Sequence, residues 1–579
     1  MPGLPVVRDP RPGPGELVSA ARAALGLEPL DLAIVGGLVV DVWARRVVRA
    51  DVGVRGRLVA CVGECGGARK VVEADGLYVV PGMIDLHVHL ESSLLRPSEF
   101  ARVLLSHGTT AAFVDVHEVA NVAGLAGVRA VAEELDATML KAFVLAPPNV
   151  PPSRLVDDAG GASIGYSEAL GAARELSGLG EFMDVHAVLS GDEEAMGFLA
   201  AASVSVPVQG HMAGLSGRAL DAYVDLGPRN DHEVTSEAEA LERLSRGVHP
   251  LARYGSAWRD LDSLARLVSA YSPLVPVVAD DVHALHLVRE GHLDRAVRRA
   301  VELGVDPLDA VRAVTLAPAL AAGIQAWYGA VAPGRFADLA IVDDLREFRV
   351  LRTFVDGREF DGRCRAAAGA GGALRGTVRV SFRPRLSLRA PVESGVVAAR
   401  VVELEGSTLT REAVERLRVR SWEPELGGDM SEVHVVNRYG LERQGDGILA
   451  QRVEGALASS LAHDTHNIVV VGADRASMAA ALDYVVSRGG GVAVASGGSV
   501  AAGLPLPIAG LMSDAPAEEV AEALARVTSA LSSACRCDGE ELLAKVQLIT
   551  LTVIPELRVT DRGLYSVRRR SYVPLMEVG

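Results

Sequence analysis

Between about residues 81 and 320, eight short apolar runs alternate with helical stretches: "MIDLHVHL", "AAFVDV", "AFVLAP", "GLGEFMD", "VPVQGHM", "RNDHEV", "HPLAR" and "VPVVADD". Parallel strands joined by crossover helices produce this alternation. Eight of them suggest a closed (β/α)8 TIM barrel. The fourth and seventh runs are weak strand formers, so an open doubly wound sheet stays as the alternative.

The flanks have a different texture. From Asp31 to Val80 short β-type runs follow one another with turns between them, and the same pattern returns over residues 328–360. We expect the two flanks, residues 31–80 and 321–365, to pair as one small discontinuous β-sandwich domain around the barrel, residues 81–320, with residues 1–30 as an N-terminal extension. "RAAAGAGGALRG" reads as a linker, and residues 366–579 as a C-terminal α/β domain. Within the latter, "HNIVVVGAD", "RASMAAALDYVVSRGGG" and "VAVASGG" read strand, helix, strand. Val520, Leu524, Val527 and Leu531 repeat at helical spacing behind Asp514 as the expected N-cap.

The net charge of −16 and the absence of a basic run argue against a nucleic-acid partner. Lysine is confined to Lys70, Lys141 and Lys545. The start of the chain, "MPGLPVVRDPRPGPG", is too proline-broken for a signal peptide, and no run of about 18 apolar residues occurs. A soluble, cytoplasmic protein with no membrane partner is the expectation. Cys61, Cys65, Cys364, Cys535 and Cys537 lack the paired spacing of a zinc knuckle and read as ordinary thiols.

Chemistry enters at the strand ends. Residues two apart in a strand share a face, so His87 and His89 project together. Glu181, His211, His232 and Asp280 stand at the ends of later runs, where a barrel gathers side chains at one mouth. Imidazoles and carboxylates in this mixture suit divalent zinc, manganese or iron, and six of them suffice for two ions sharing a carboxylate bridge.

The motifs "PGMIDLHVHLESSLLRPSEFARVLLSHGTT", "DVHEVANVAG", "GHMAGLSGRALDAYVDLGPRNDHE", "VVADDVHALHLVREGHLDRAVRRAVELGVDP", "SLAHDTHNIVVVG", "LPLPIAGLMSD" and "VIPELRVTDRGL" resemble the adenine deaminase family of the amidohydrolase superfamily. The resemblance spans about residues 81 to 570. It implies a binuclear site on His87, His89, Glu181, His211, His232 and Asp280, with manganese or iron the family's habit and zinc also admitted. It also implies a homo-oligomer and adenine as substrate. Lys141 precedes its strand and sits at the wrong end for a carboxylated-lysine bridge, which leaves that role to Glu181. Three positions depart from the family pattern: Asn149, Met212 and Val282.

The implied reaction is hydrolysis of adenine to hypoxanthine and ammonia, a metal-activated hydroxide attacking C6. Asp280 is the first candidate proton shuttle, with Glu91, His117, Glu118 and His283 behind it. Glu118 reads equally as a helix-start carboxylate stabilised by the helix dipole. Arg253, Ser256, Asp281 and His283 are candidates for holding the purine, although Arg253 reads as well as a structural arginine and His283 as a loop histidine. The "HDTH" segment, His463 to His466, either reaches the barrel mouth or simply caps a strand, and the plainer role is expected. The alternative activity is that of an amidohydrolase acting on a cyclic amide or a different aminated heterocycle.

Overall fold

Residues 11–152, 160–365, 372, 374–406 and 409–578 are described in the computed structural model. Much of the expected linker "RAAAGAGGALRG" lies outside the described residues. Strand Met83–His89 runs parallel to Thr109–Asp115, which runs parallel to Lys141–Leu145. The first two are buried at every position, which is why they read as near-continuous apolar runs. The next rungs are single bridges: Leu179 pairs in parallel with Ala146 on one side and Val208 on the other. Asn230–Asp231 then pairs with His249–Pro250, and Ala252–Arg253 with Val277–Val278, again in parallel.

Val88 bridges Asp280, so the eighth run returns to the first. Between the fifth and sixth runs the link is made by side chains, Gly210 N–H donating to Asn230 Oδ1 at 2.9 Å and Met212 N–H to Asp231 Oδ1 at 3.0 Å. The expected runs therefore follow one another in space in chain order, with the eighth bridged to the first. The helices between them start where local chemistry dictates. Pro97 opens Pro97–Ser106 at its first turn, Asp192 caps Glu193–Ser203, and Ser236 with Glu239 forms a capping box for Glu237–Leu244.

The two β-rich flanks pair through Leu339–Val342, antiparallel to Tyr78–Pro81. Their strands are hydrogen-bonded as one eight-stranded network around a shared apolar core that includes Ile34, Val52, Val72, Leu339 and Phe354. Strand Leu30–Asp41 is bulged between Ile34 and Gly37, its first half beside Ala68–Glu73 and its second beside Tyr78–Pro81. Lys141 Nζ is buried against this sheet, 2.8 Å from Asp338 and 2.6 Å from Asp356.

In the C-terminal region a ten-stranded sheet carries helices on both faces. The period-two alternation of the strands sorts the contacts. Ala456, Val470 and Ala493 pack with Met478, Ala481 and Leu482 of helix Arg475–Ser487. Leu457, Val469 and Val492 lie in the cluster that holds Val520, Leu524, Val527 and Leu531 of helix Ala517–Cys535. That helix is capped at Pro516, not at Asp514, whose carboxylate pairs with Arg375. The expectation of five ordinary thiols is also corrected: Cys61 is joined to Cys65 and Cys535 to Cys537, leaving Cys364 free. Among the described residues no helix is long and apolar enough to cross a membrane.

Candidate metal centre and active site

His87 and His89 leave the first strand on one face, and their Nε2 atoms lie 3.4 and 3.3 Å from the same oxygen, Asp280 Oδ1. Glu181 stands between this group and a second one. Its Oε1 is 3.4 Å from His89 Nε2, while its Oε2 is 2.6 Å from His211 Nδ1 and 3.1 Å from His232 Nε2. All six sequence candidates thus converge. The ligand atoms of His87, His232 and Asp280 lie within 4.8 Å of one another, as do those of Glu181, His211 and His232.

Buried groups brace the segments that carry Glu181, His211 and His232. Asp115, at the end of the second strand, accepts from the Glu181 backbone N–H at 2.8 Å through Oδ2 and faces His117 Nδ1 at 3.1 Å through Oδ1. A β-carbon at Gly180 would come within 2.3 Å of Asp115 Oδ2, so this support needs a glycine there. Asp231 accepts from the backbone N–H groups of Met212 and Glu233 and is paired with fully buried Arg243 at 2.9 Å. Arg243 also donates to the carbonyls of Met212 and Leu215, at 2.8 Å each, which ties the loop after His211 to the segment carrying His232. Asp280 has φ +56°, a backbone conformation uncommon outside glycine, and this fits a residue whose position is imposed by its surroundings.

The C-terminal region completes the mouth. His463 Nδ1 and His466 Nε2 contact the two oxygens of Glu118, the carboxylate at the start of helix His117–Asp136. "HDTH" therefore reaches the ring of parallel strands, against the plainer role expected for it. Burial pushes the Glu118 carboxyl upward, but His463, His466 and His117 outweigh it and hold the group well below the usual carboxylate range. Glu91 accepts from Val119 N–H at 2.9 Å and has its other oxygen without a partner, and burial pushes it up to about 7.

A cavity of about 890 Å³ opens onto the centre. It is lined by His89, His117, Glu118, Glu181, His211, His232, Arg253, Asp280 and Asp281, and from the C-terminal side by His463, Asp464 and Tyr565 among others. Ser256 and His283, expected against the substrate, line instead a smaller chamber of about 40 Å³ behind it, together with Glu91 and His466. The cause is local bonding: Ser256 Oγ accepts from His283 N–H at 2.8 Å and lies 2.9 Å from His286 Nδ1. Arg253 does line the main cavity, but its guanidinium is committed to Glu233 at 2.7 Å, Asp260 at 2.6 Å and Asp280 at 3.2 Å. Asp281 is engaged by Ser92 Oγ and by Trp258 Nε1–H at 3.4 Å. Trp258, which also lines the cavity, carried no recognisable signal in the sequence.

None of the three departures from the family pattern lines the cavity. Met212 and Val282 are buried in the apolar core, and Asn149 donates to the carbonyls of Pro151 and Pro152.

The donor set fits divalent cations. His87 is fully buried, yet neither of its ring nitrogens makes a hydrogen bond, a cost that a ligated cation removes. The carboxylate of Glu181 presents one oxygen to each of two imidazole groups, as a bridging ligand does.

Residues 78–360 match the Amidohydrolase family, and residues 407–571 match the Adenine deaminase C-terminal domain. The chain is 33% identical to an adenine deaminase of Kosmotoga olearia, covering 96% of this chain and 99% of that protein. It is 38% identical to one of Methylobacterium nodulans over 96% and 99%. Against one of Methanothrix thermoacetophila it is 37% identical over 97% and 99%.

Proposed function

The chain belongs to the adenine deaminase family of amidohydrolases and hydrolyses adenine to hypoxanthine and ammonia, and from that premise we propose how its residues divide the work. The C-terminal match does not favour the alternative of a cyclic-amide substrate. A divalent metal is required by the family. We propose two ions per chain, manganese or iron with zinc also admitted, held by His87, His89, Glu181, His211, His232 and Asp280. The observation that carries this is the sharing of Glu181 between His89 on one side and His211 with His232 on the other. The proposed frame is a (β/α)8 barrel over residues 81–320, with the small β domain built from residues 31–80 and 321–365 and a C-terminal domain over residues 366–579. A homo-oligomer and a cytoplasmic location belong to the same proposal on family resemblance alone.

A bound divalent cation lowers the pKa of water toward neutrality, so it supplies a nucleophilic oxygen for C6 of the base. In the balance of the reaction the C6–O bond forms, the bond from C6 to the exocyclic nitrogen breaks, and the protons of water end on the ring and on ammonia. Asp280 is placed to take the first proton: Oδ1 faces His87 and His89, while Arg253 fixes Oδ2. Asp280 would pass that proton to the ring. Glu118, lining the same cavity, is the proposed relay through which the proton held on His463, whose pKa this carboxylate pushes up to about 9 against the lowering by burial, reaches the leaving amine, the second proton of water restoring it. His117 assists by orienting Glu118, at 3.5 Å. Glu91, bonded to Val119 N–H at the start of the Glu118 helix, positions rather than transfers. Asp281 remains a candidate contact for the base, whereas Ser256 and His283 act from behind the cavity wall.

The test is ammonia release from adenine and from adenosine by manganese-reconstituted protein, with hypoxanthine followed as product and bound metal counted. Turnover of free adenine with about two ions bound is expected. Absence of adenine turnover in protein that binds metal would overturn the assignment.

A further inference from the structure

The cavity is larger than the base requires, and most of its polar groups are already paired with one another. Glu118 is taken up by two histidines, Glu181 by its imidazoles, Glu233 and Asp280 by Arg253, and Asp281 by Ser92 and Trp258. One carboxylate differs. Asp464 lines the cavity, is 4% exposed, and has its Oδ2 buried with no hydrogen-bond partner. Its Oδ1 lies 3.9 Å from His463 Nδ1, beyond hydrogen-bond distance. Among the carboxylates that line the cavity, it alone holds an oxygen that is both buried and unpartnered among the described residues.

A buried carboxylate oxygen without a donor is costly unless something else supplies one. His463 Nδ1 and His466 Nε2 are spent on Glu118, and no donor among the described residues reaches Asp464 Oδ2. The neutral base can supply it. Free adenine carries an imidazole-ring N–H that a nucleoside has lost to its sugar, and the same N–H persists in hypoxanthine.

We infer that Asp464, delivered by the C-terminal domain, accepts a hydrogen bond from the imidazole-ring N–H of the free purine and is the residue that selects the base over N-substituted purines. The inference deepens the adenine deaminase reading and rests on it. A site built around such a donor rejects analogues that lack it more strongly than a purely apolar pocket does, because the analogue leaves the buried acceptor unpaired. The six ligands handle the reacting carbon, and Asp464 handles identity at the other ring.

The test is calorimetric binding of product and its methyl derivatives to metal-loaded full-length protein at mildly alkaline pH, which involves no turnover. Hypoxanthine, 7-methylhypoxanthine and 9-methylhypoxanthine are compared on wild type and Asp464→Ala. In wild type, methylation of the nitrogen that Asp464 reads should weaken binding by about 10- to 100-fold. In the variant that penalty should shrink to within about threefold, since both the acceptor and its bulk are gone. If the alanine variant does not fold, Asp464→Asn keeps the size, loses the charge, and should reduce the same penalty by about tenfold. An undiminished penalty in a folded variant, or equal binding of all three ligands by wild type, overturns the role of Asp464 while leaving the deaminase reading intact. Failure of wild type to bind hypoxanthine at all overturns the role of Asp464 as well, while the deaminase reading stands or falls separately on adenine turnover.

Discussion

At the scale of single residues, the centre depends on groups that never touch one another in sequence. His89 is shared between Asp280 and Glu181, so His89→Ala removes a contact from both halves of the centre at once. Bound metal and deaminase activity should fall together, and metal analysis beside an ammonia assay checks this. A metal-depleted His89→Ala protein with normal activity would defeat the assignment. Arg243 lies further back but carries more of the stability. It is fully buried, and its removal leaves Asp231 charged and unpaired, with the loop after His211 untethered. Arg243→Met should lower unfolding stability by about 3–5 kcal/mol, the usual cost of breaking a buried pair from one side. Urea denaturation measures it, and a loss within about 0.5 kcal/mol, as for a surface site, would refute it.

At the scale of elements, strands Ser431–Val436 and Gln444–Leu449 bring a buried histidine between two carboxylates. His434 Nδ1 lies 2.8 Å from Asp446 and Nε2 lies 3.1 Å from Glu432, with Arg385 on the far side of Asp446. Burial pulls the imidazole pKa down, but the bonds to Asp446 and Glu432 outweigh it and the value is raised. A raised folded-state pKa contributes stability that is complete below the unfolded value, about 6.5, and is lost as pH climbs through the folded one. The margin of wild type over His434→Gln should therefore be greatest in mild acid and shrink toward alkaline pH. Chemical denaturation at several pH values gives that margin directly, and a margin that grows with pH would contradict the sign.

At the scale of the whole molecule, the C-terminal region is part of the catalytic mouth. Arg102 pairs with Glu518 at 2.8 Å, Ala517 N–H donates to Glu99 at 3.0 Å, and Ser513 N–H donates to the Leu94 carbonyl at 2.8 Å, which seats the region beside the strand-end loops. From that seat His463 and His466 reach Glu118. Replacing both by alanine should cut kcat by about 100-fold, the scale of one impaired proton-transfer group. Metal content should stay at the wild-type level, because neither histidine belongs to the proposed ligand set. An unchanged kcat would mean that the contact only packs the two regions together.

The sequence alone determined the eight-run order, the shared face of His87 and His89, and the imidazole and carboxylate groups at later run ends, because strand periodicity and residue chemistry are local properties. It also placed Glu181 at the centre, even though its segment contributes only a single bridge at Leu179. Other features were decided by packing across hundreds of residues. Ser256 and His283 fell behind the cavity wall because His286 and the adjacent backbone claimed them, and the two β-rich flanks met through Leu339–Val342 beside Tyr78–Pro81. The meeting of Glu118 with His463, His466 and the neighbouring Asp464 joins elements some 345 residues apart. No pattern within a window of sequence encodes such a meeting; only the burial of the C-terminal region against the strand ends fixes it.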